Sequence, residues 1–537
     1  MEARSPVPFS RRDFLRTAGA GGVVLATGGV LAGCTSSSSS PSASTTASAA
    51  TIKKGGTFRV GLIGGSGSSE TLDPNGLTPS DLALYRIQNV FSKLTDMDHT
   101  GNYVPQLAES LEPNSDASQW VVRLRPGVLW HDGSDVTADD VIYSFQRVLN
   151  PKNSATLGAA AGDIPMVDPA GMTKLDKYTV QFKLKYPWVA FPSQVGQRYN
   201  AIIQSGTTHF TVSNFIGTGP FQLTEWSPGQ SFVLTKNPNY FLSGKPYLDA
   251  VHGISIVDDS ARLDALLGNQ VDAIEQVSTA DARVLKGRGM QLLVSPAGPW
   301  DPIVMNTARG PFKDPRVRLA MKLVANRAQM LEAALQGYGT IGNDLFAVHD
   351  PLYDHSIPQR AYDPEQAMSL LKQAGYADYP FVLNTAAVVP DFVPSALAFQ
   401  QSARAAGMNM TVRNTPSDSY WGSIYGFQEF FYSSWGYRTF FPQWDQSYVS
   451  YNSSETNWKD PNAASAVSMV KAAAATTDSS TQARLTGQAQ ELEWSDGGYL
   501  IWAYKEVLDG LGPHVHGILP NPFSSLGWDP WDSVWLS

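Results

Sequence analysis

Residues Gln119–Pro151 read QWVVRLRPGVLWHDGSDVTADDVIYSFQRVLNP, and this stretch predicts a strand, a turn and a helix in succession. Val122 and Leu124 alternate with arginines, as in a half-buried strand. A Pro-Gly pair then turns the chain. Thr137 and Asp140 form a capping-box pattern that opens a helix, and the final Asn-Pro pair ends it. The stretch therefore combines both kinds of secondary structure within about thirty residues.

The same alternation of strands and helices continues along the chain. Phe58, Val60 and Leu62 alternate with polar or small residues, which predicts a strand after the Gly-Gly pair that precedes it. Asp314 and Asp363 each stand directly before a proline, so each supplies an N-cap followed by proline at the first helical position. Interleaved strands and helices over the whole body predict an α/β fold.

Length and charge limit the possible functions. A chain of 537 residues exceeds the roughly 250–300 residues at which one hydrophobic core stops growing, so two or three lobes are expected. Lys and Arg total 39 against 48 Asp and Glu, a formal net charge of -9. Nucleic-acid binding depends on neutralising phosphates with basic side chains, and we exclude it on this balance.

The N-terminus has the order of an export signal. A twin-arginine segment, SRRDFLR, is followed by a weakly apolar Gly- and Ala-rich stretch, and residues 1–33 are therefore interpreted as a twin-arginine signal peptide. Cys34 is the single cysteine, and Leu-Ala-Gly-Cys resembles the lipobox of bacterial lipoproteins, whose thiol is acylated, for example with palmitate. Residues 34–51 are a Ser/Thr/Ala-rich tether.

Five ordered motifs resemble those of the family 5 extracellular solute-binding proteins, the peptide, dipeptide and nickel receptors of ABC importers. The first is LAESLEPNSDASQWVVRLRPGVLWHDGSDVTADDVIYSFQRVL, which contains the stretch quoted above. The others follow in the family's order: GTGPFQLTEWSPGQSFVLTKNPNYFLSGKPYLD, RLDALLGNQVDAIEQV, MNTARGPFKDPRVRLAMKLVANRAQMLEAAL and YDPEQAMSLLKQAGY. The resemblance extends from about Lys53 to the C-terminus.

The resemblance implies a two-lobed periplasmic-binding-protein-like fold of the large, cluster C type, with a ligand cleft between the lobes. Lobe I is expected over residues 52–300, with 505–537 returning to it, and lobe II over 301–504. The implied function is that of a monomeric, lipid-anchored receptor at the outer face of the cytoplasmic membrane. It would capture oligopeptide-like solutes and deliver them to an ABC permease, without enzymatic activity or a cofactor.

Trp435, Gly436, Tyr437 and Arg438 occupy the position of the family's cleft segment. Two large aromatic residues and a guanidinium flank a glycine, which lets backbone approach a ligand. Peptide-binding members carry an aspartate a few residues after the tryptophan, and it pairs with the ligand's amino group. Here Arg438 stands in that place and the next carboxylate is Asp445, so either Asp445 anchors an amine or Arg438 anchors an anion.

The remaining candidates are assigned by their expected position. The neighbouring aromatic residues Phe427, Phe430, Phe431 and Tyr432 are expected in a lobe core with one buried strand. Further ligand contacts are expected in the first loop, at the lobe crossing and after the cleft segment, from Ser66, Ser69, Trp300, Asn306 and Trp444.

Catalytic and metal motifs are weak in this sequence. His131-Asp132 is interpreted as part of a turn rather than as a catalytic pair. His514-Val515-His516 lacks a third ligand nearby, so we predict no metal site. Other functions stay open: a receptor for a glycan, an opine or a metal chelate, a secreted enzyme that carries a cofactor, or a surface lipoprotein of adhesion or signalling.

Overall fold

The computed structural model describes residues 52–65, 67, 70–76, 80–449, 455–527 and 530–537. The predicted signal peptide, the tether with Cys34, and the loop residues Ser66 and Ser69 lie outside the described residues. None of the described helices combines the length and the apolar character needed to span a bilayer.

The strands are numbered in chain order. They are β1 (Thr57–Leu62), β2 (Thr95–Met97), β3 (Tyr103–Pro105), β4 (Ala108–Pro113), β5 (Gln119–Leu124), β6 (Val167–Asp176), β7 (Thr179–Leu184), β8 (Phe221–Ser227), β9 (Ser231–Lys236), β10 (Ala250–Ser255), β11 (Ala273–Ile274), β12 (Gln291–Ser295), β13 (Ile303–Met305), β14 (Gly339–Ile341), β15 (Phe381–Ala386), β16 (Met410–Thr415), β17 (Phe430–Tyr432), β18 (Tyr499–Leu500), β19 (Ala503–Lys505), β20 (Val507–Leu511), β21 (Val515–His516) and β22 (Trp535–Leu536).

The α-helices are numbered in the same way. They are α1 (Asp81–Val90), α2 (Ala138–Val148), α3 (Ser154–Asp163), α4 (Phe191–Val195), α5 (Asp259–Leu267), α6 (Thr279–Gly287), α7 (Pro315–Val324), α8 (Arg327–Leu335), α9 (Pro364–Ala374), α10 (Phe392–Ala405), α11 (Ser417–Ser423), α12 (Phe440–Trp444), α13 (Pro461–Ala474) and α14 (Ser479–Asp496).

The strand, turn and helix predicted from Gln119–Pro151 are confirmed as β5 and α2. Val122 and Leu124 are buried on one face of β5. At the start of α2 the backbone N–H of Thr137 donates to Asp140 Oδ2 at 2.8 Å, which satisfies one of the donors that a helix end leaves free. Helices α7 and α9 also begin as predicted, because Asp314 and Asp363 accept hydrogen bonds from backbone N–H groups of their first turns.

A seven-stranded sheet has the order β12-β20-β11-β1-β10-β9-β8. Its central strand β1 pairs in parallel with both β10 and β11, whereas the other neighbours are antiparallel. A strand with neighbours on both sides and helices nearby is buried. Phe58, Val60 and Leu62 of β1 are accordingly fully buried, as their alternation predicts.

Two further sheets form a second apolar core. The five-stranded sheet has the order β16-β15-β17-β13-β18, and the antiparallel four-stranded sheet has the order β4-β5-β7-β6. Their buried side chains form one continuous cluster, separate from the cluster around β1. Trp188, for example, packs beside Phe441 with ring centroids 5.8 Å apart. The lobe boundaries at residues 300 and 505 stay a prediction.

Two chain segments connect the seven-stranded sheet to the five-stranded sheet, and they are hydrogen-bonded to each other. The Lys505 N–H donates to the Pro299 carbonyl at 2.7 Å, and the Gly298 N–H donates to the Lys505 carbonyl at 3.1 Å. The Lys505 ammonium also pairs with Asp301 and, at 3.3 Å, with Asp391. The residues that follow β17, which include the candidate cleft residues, lie beside these two connecting segments.

Candidate ligand-binding cleft

The segment that leaves β17 is held by the segment between β12 and β13, through contacts of Trp435 with Trp300. Each of the two residues donates its backbone N–H to the other's carbonyl at 3.0 Å, and their indole rings stack with centroids 5.8 Å apart and planes at 9°. Trp300 is 1% exposed. It therefore packs against Trp435 and is not among the residues that line the cavity beside Trp435.

A cavity of about 330 Å³ lies in front of Trp435. We call it the cleft cavity, and its volume falls within the usual size of small-molecule sites. Aromatic and hydroxyl side chains, one acid and one guanidinium share its wall. The lining residues are Trp421, Tyr425, Ser433, Ser434, Trp435, Gly436, Arg438, Gln446, Ser447, Glu455 and Tyr499.

Glu455 is the acid of the cleft cavity, and it is 6% exposed. The Ser433 hydroxyl donates to its Oε2 at 2.7 Å and the Trp435 indole N–H donates to its Oε1 at 2.8 Å. Burial raises the pKa of Glu455, and these hydrogen bonds oppose the shift. Sequence reasoning missed Glu455, because it lies seventeen positions beyond Arg438 in a polar segment without a recognisable motif.

Arg438 lines the same cavity and lies over the ring of Trp435, with its Cζ 5.4 Å from the ring centroid. Burial lowers the pKa of Arg438, and the nearby Arg198 lowers it further, whereas Asp163 opposes both effects. Burial raises the pKa of Asp163 to about 7 although both arginines act against this shift. Arg438, Arg198 and Asp163 therefore act on one another electrostatically, two guanidiniums and one acid.

Tyr437 points away from the cleft cavity. It is 2% exposed and joins a small apolar cluster with Leu84, Met97 and Phe523. Its ring also lies 5.7 Å from that of His349. Tyr437 thus links the segment after β17 to residues of α1 and of the C-terminal part of the chain.

Most of the chain matches the sequence model of one protein family. The model described as "Bacterial extracellular solute-binding proteins, family 5 Middle" matches residues 102–460, which is well over half of the chain. The chain belongs to this family. This confirms the predicted family of extracellular solute-binding proteins.

Relatives and solved structures of family 5 agree with this assignment. The glutathione-binding protein GsiB of Salmonella typhimurium is 26% identical over 485 residues, covering 86% of this chain and 92% of the relative. The dipeptide-binding protein of Escherichia coli is 27% identical over 366 residues, covering 60% and 68%. The match to GsiB covers more of this chain than the family model does.

The fold is that of two-domain periplasmic binding proteins, which confirms the predicted α/β, two-lobed class. DppA of Helicobacter pylori, in complex with the peptide STSA, superposes with a TM-score of 0.71 at 21% identity over 90% of this chain and 98% of that chain. CtaP of Listeria monocytogenes, an ABC transporter substrate-binding protein, superposes with a TM-score of 0.78 at 19% identity over 90% and 100%.

Three other predicted contact residues of this family 5 chain lie away from the cleft cavity. Asn306 is fully buried, and its Oδ1 accepts the Ala308 N–H at 3.1 Å. Trp444 is buried among the rings of Phe346, Phe440 and Tyr448. Both side chains therefore support the core of the five-stranded sheet.

Asp445 is the third of these residues. It is buried, and its charge contributes to raising the pKa of Tyr186 to about 12 after the larger effect of burial. Tyr186 lies beside Trp188, on a groove other than the cleft cavity. The structure thus brings Arg438 and Gly436 to the cavity and places Asp445 elsewhere.

The aromatic stretch around β17 divides between core and surface. Phe430, Phe431 and Tyr432 are fully buried in β17, as predicted. The prediction for Phe427 is wrong, since this side chain is 58% exposed in the turn that precedes β17.

The histidines His131, His514 and His516 each have identifiable neighbours. His131 lies in a turn, as predicted, and its Nδ1 accepts the Gly217 N–H at 3.2 Å. His514 Nε2 lies 3.0 Å from Asp272 Oδ1, whereas the His516 ring stacks on Trp535 with centroids 4.1 Å apart. The two rings of the H-x-H sequence therefore have different partners.

Proposed function

We propose that this protein is a lipid-anchored receptor of an ABC importer, which captures a peptide-like solute in the cleft and delivers it to the permease. The observation that carries the proposal is a cavity of about 330 Å³ that combines aromatic walls, the exposed small residues Ser434 and Gly436, and one charged group of each sign. A few convergent polar groups in an otherwise aromatic pocket are typical of a binding site for a small solute.

Trp435, Gly436 and Arg438 contact the ligand in this proposal. Ser434 and Gly436 are exposed, so these two residues are accessible to an extended ligand, whereas the Trp435 N–H and carbonyl are hydrogen-bonded to Trp300. Arg438, rather than Asp445, is the charged anchor, because it lines the cavity and Asp445 does not. The ligand accordingly presents a carboxylate to Arg438 through charge-assisted hydrogen bonds.

Tyr437 supports closure of the cleft, and Trp300, Asn306 and Trp444 hold the cleft segment in place. Contacts from Ser66 and Ser69 in the first loop remain part of the proposal on the basis of sequence. A ligand favours a closed form only through contacts that the open form lacks. Arg438 is suited to stabilising the closed form, because Asp163 and Arg198, which act on it electrostatically, lie on other elements of the fold.

The anchor is proposed from the N-terminal sequence. Twin-arginine export, removal of residues 1–33 and acylation of Cys34 would place the body, on the tether 34–51, at the outer face of the membrane. Two acyl chains bind a bilayer stably, whereas one binds it marginally. Cys34→Ala should release the protein into the soluble fraction, and mass spectrometry of the wild-type N-terminus should show a diacylglyceryl cysteine.

The function itself is tested by native mass spectrometry of the gently purified protein, followed by release of the ligand in denaturant. We expect a near-stoichiometric small solute that carries a carboxylate. Arg438→Ala should lower its affinity at least tenfold, whereas Asp445→Asn should change it less than threefold. A rigid protein that binds no solute, or an Arg438→Ala variant with unchanged affinity, would contradict the proposal.

A second candidate is a receptor for a carboxylate-rich solute of another kind, such as an opine. Arg438 lines the cleft cavity and Arg198 acts on it electrostatically, and two guanidiniums near one part of the cavity suit an anion. AgaA, solved in complex with agropinic acid, shares the fold with a TM-score of 0.72 at 22% identity over 90% of this chain and 99% of that chain. The mass of the released ligand distinguishes the two candidates.

A further inference from the structure

Three aromatic side chains of the cleft cavity stand around Glu455. They are Trp421, Tyr425 and Tyr499, and we call them, with Glu455, the aromatic cage. Trp421 and Tyr425 are neighbours on one side, with ring centroids 5.3 Å apart at an angle of 66°. Tyr499 is fully buried and lies on the last strand of the five-stranded sheet. The cage is open to solvent at Trp421, which is 46% exposed.

Glu455 brings a negative charge into the cage without an evident counter-ion. Its donors Ser433 and Trp435 are neutral, and so are the Tyr425 and Tyr499 hydroxyls, which also lower its pKa. No lysine or arginine in the described part of the chain forms an ion pair with it. A buried carboxylate is normally paired, since burial disfavours its charged form. A cation beside Glu455 would reverse that effect and supply the partner.

The walls of the cage favour the same kind of group. The faces of tryptophan and tyrosine rings carry negative electrostatic potential and attract ammonium and guanidinium groups. The protein already uses this interaction beside the cage, where the Arg438 guanidinium lies 5.4 Å from the centre of the Trp435 ring. Trp435 already contacts Trp300 and Arg438, so the accessible aromatic surface of the cage is that of Trp421, which is 46% exposed.

The position of Arg438 limits which cation can enter. Arg438 and Glu455 line one cavity of about 330 Å³, so an anion and a cation bound to them share a single small cavity. A lysine, ornithine or arginine residue at the C-terminus of a peptide meets this condition, because it carries a carboxylate and a cationic side chain.

We propose that the aromatic cage binds the ammonium or guanidinium group of a basic C-terminal residue, with Glu455 as its ion-pair partner. This inference rests on the proposed function, since it takes the ligand's carboxylate to be bound by Arg438. It assigns to the receptor a preference for peptides that end in a basic residue. Glu455 and the cage determine this preference, whereas Arg438 supplies binding that is common to all C-termini.

The test uses the full chain purified in detergent and freed of ligand, with calorimetric titration of two tripeptides. Ala-Ala-Lys and Ala-Ala-norleucine have side chains of nearly the same length, and they differ in the charge at the end. We expect the lysine peptide to bind at least tenfold more tightly. In Glu455→Gln, the lysine peptide should lose at least tenfold in affinity, and the norleucine peptide should change less than twofold.

Trp421→Leu provides a second variant that does not depend on a buried position. It keeps an apolar wall and removes the aromatic face, so the lysine peptide should lose three- to tenfold in affinity and the norleucine peptide should keep its affinity. Circular dichroism and thermal unfolding establish that both variants are folded. If Glu455→Gln does not fold, Trp421→Leu alone decides the question.

The outcomes separate the inference from the function on which it rests. Equal affinities for the two peptides, or equal losses for both in Glu455→Gln, would overturn the aromatic cage as a cation site and leave the receptor function intact. Binding of neither peptide by a protein that co-purifies with an unrelated solute would overturn the proposed peptide specificity and this inference together.

Discussion

Tyr437 packs against Phe523, with ring centroids 6.4 Å apart and ring planes at 86°. Tyr437 belongs to the segment that leaves the five-stranded sheet, whereas Phe523 follows the last long strand of the seven-stranded sheet. Leu84 and Met97 complete the cluster, and Tyr437 is 2% exposed within it. The contact therefore joins the two sheets at a point next to the cleft cavity and beside Gly298, in one of the segments that connect the sheets covalently.

Replacing Tyr437 by alanine should favour an open form of the cleft. The substitution removes the ring that holds the two sheets together, so the closed form loses contacts that the open form does not make. We expect a larger radius of gyration for the ligand-free protein in small-angle X-ray scattering. Ligand affinity should fall about tenfold, which corresponds to a loss of about 1.4 kcal/mol.

Tyr437→Phe is the matched control. The Tyr437 hydroxyl is buried and forms no hydrogen bond to the described residues, so its removal leaves no broken partner. Scattering and affinity should stay within twofold of the wild type. A compact Tyr437→Ala protein with normal affinity would show that the ring does not contribute to closure.

His131 should make the protein less stable in mild acid. Its Nδ1 accepts the Gly217 N–H and its Nε2 faces the Gly219 carbonyl at 3.2 Å, an arrangement that requires the neutral ring. Burial lowers the pKa of His131 to about 4 from 6.5. Because the unfolded chain binds the proton first, this contribution is complete above about pH 6.5 and is lost as the pH falls towards 4, a change of about 3 kcal/mol.

Urea unfolding at a series of pH values measures this effect. His131→Asn should remove the decline between pH 6.5 and 4, whereas replacing the exposed His99 by alanine should leave it unchanged. An equally steep decline in His131→Asn would assign the acid sensitivity to other groups.

The sequence predicted those parts of the fold that depend on local patterns. The alternation in β1 and β5, the capping box at Thr137 and the Asp-Pro starts of two helices all depend on neighbours within four residues. Such signals act before tertiary structure forms, so they can be read from the chain directly. The family motifs extended these local signals to the whole architecture.

The candidate site was harder to predict from the sequence, because its residues are brought together by tertiary packing. Trp300 and Trp444 were recognised as large aromatic residues near the cleft, but only the packed sheet decides that they lie behind it. Glu455 lies in a later segment of the chain, and only its hydrogen bonds with Ser433 and Trp435 identify it as a residue of the cavity. Phe427 is aromatic like its neighbours in β17, but it lies in the turn before that strand and is exposed to solvent.

Asp344 should be one of the most sensitive positions for stability. Its fully buried carboxylate pairs with Arg327 at 2.7 Å and with Arg360 at 2.6 Å. Burial alone would raise the pKa of Asp344, but the two arginines hold it below its usual value. Asp344→Asn leaves two guanidiniums without their counter-ion, and the free energy of unfolding should fall by about 3–5 kcal/mol at pH 7.

The pH dependence of the Asp344 effect has a definite sign. A folded-state pKa below the unfolded value contributes stability above the unfolded pKa, and this stability is lost as the pH falls through the folded pKa. The difference between wild type and Asp344→Asn should therefore shrink in strong acid. Asp139→Asn breaks the exposed Lys174–Asp139 pair and should change stability by less than about 1 kcal/mol. Equal effects of the two substitutions at pH 7 would contradict this account.

Gly217 explains why the GTGPF motif begins with glycine. A Cβ at this position would lie 1.8 Å from the carbonyl oxygen of Val90, a backbone atom that cannot move aside. Gly217→Ala should therefore lower the free energy of unfolding by about 3 kcal/mol or more, since overpacking forces the backbone apart. A Cβ added at Gly158, in helix α3, would meet no described atom within 4 Å. Gly158→Ala should raise stability by up to about 1 kcal/mol through helix propensity, so opposite signs of the two changes in urea unfolding would support the packing argument and equal signs would refute it.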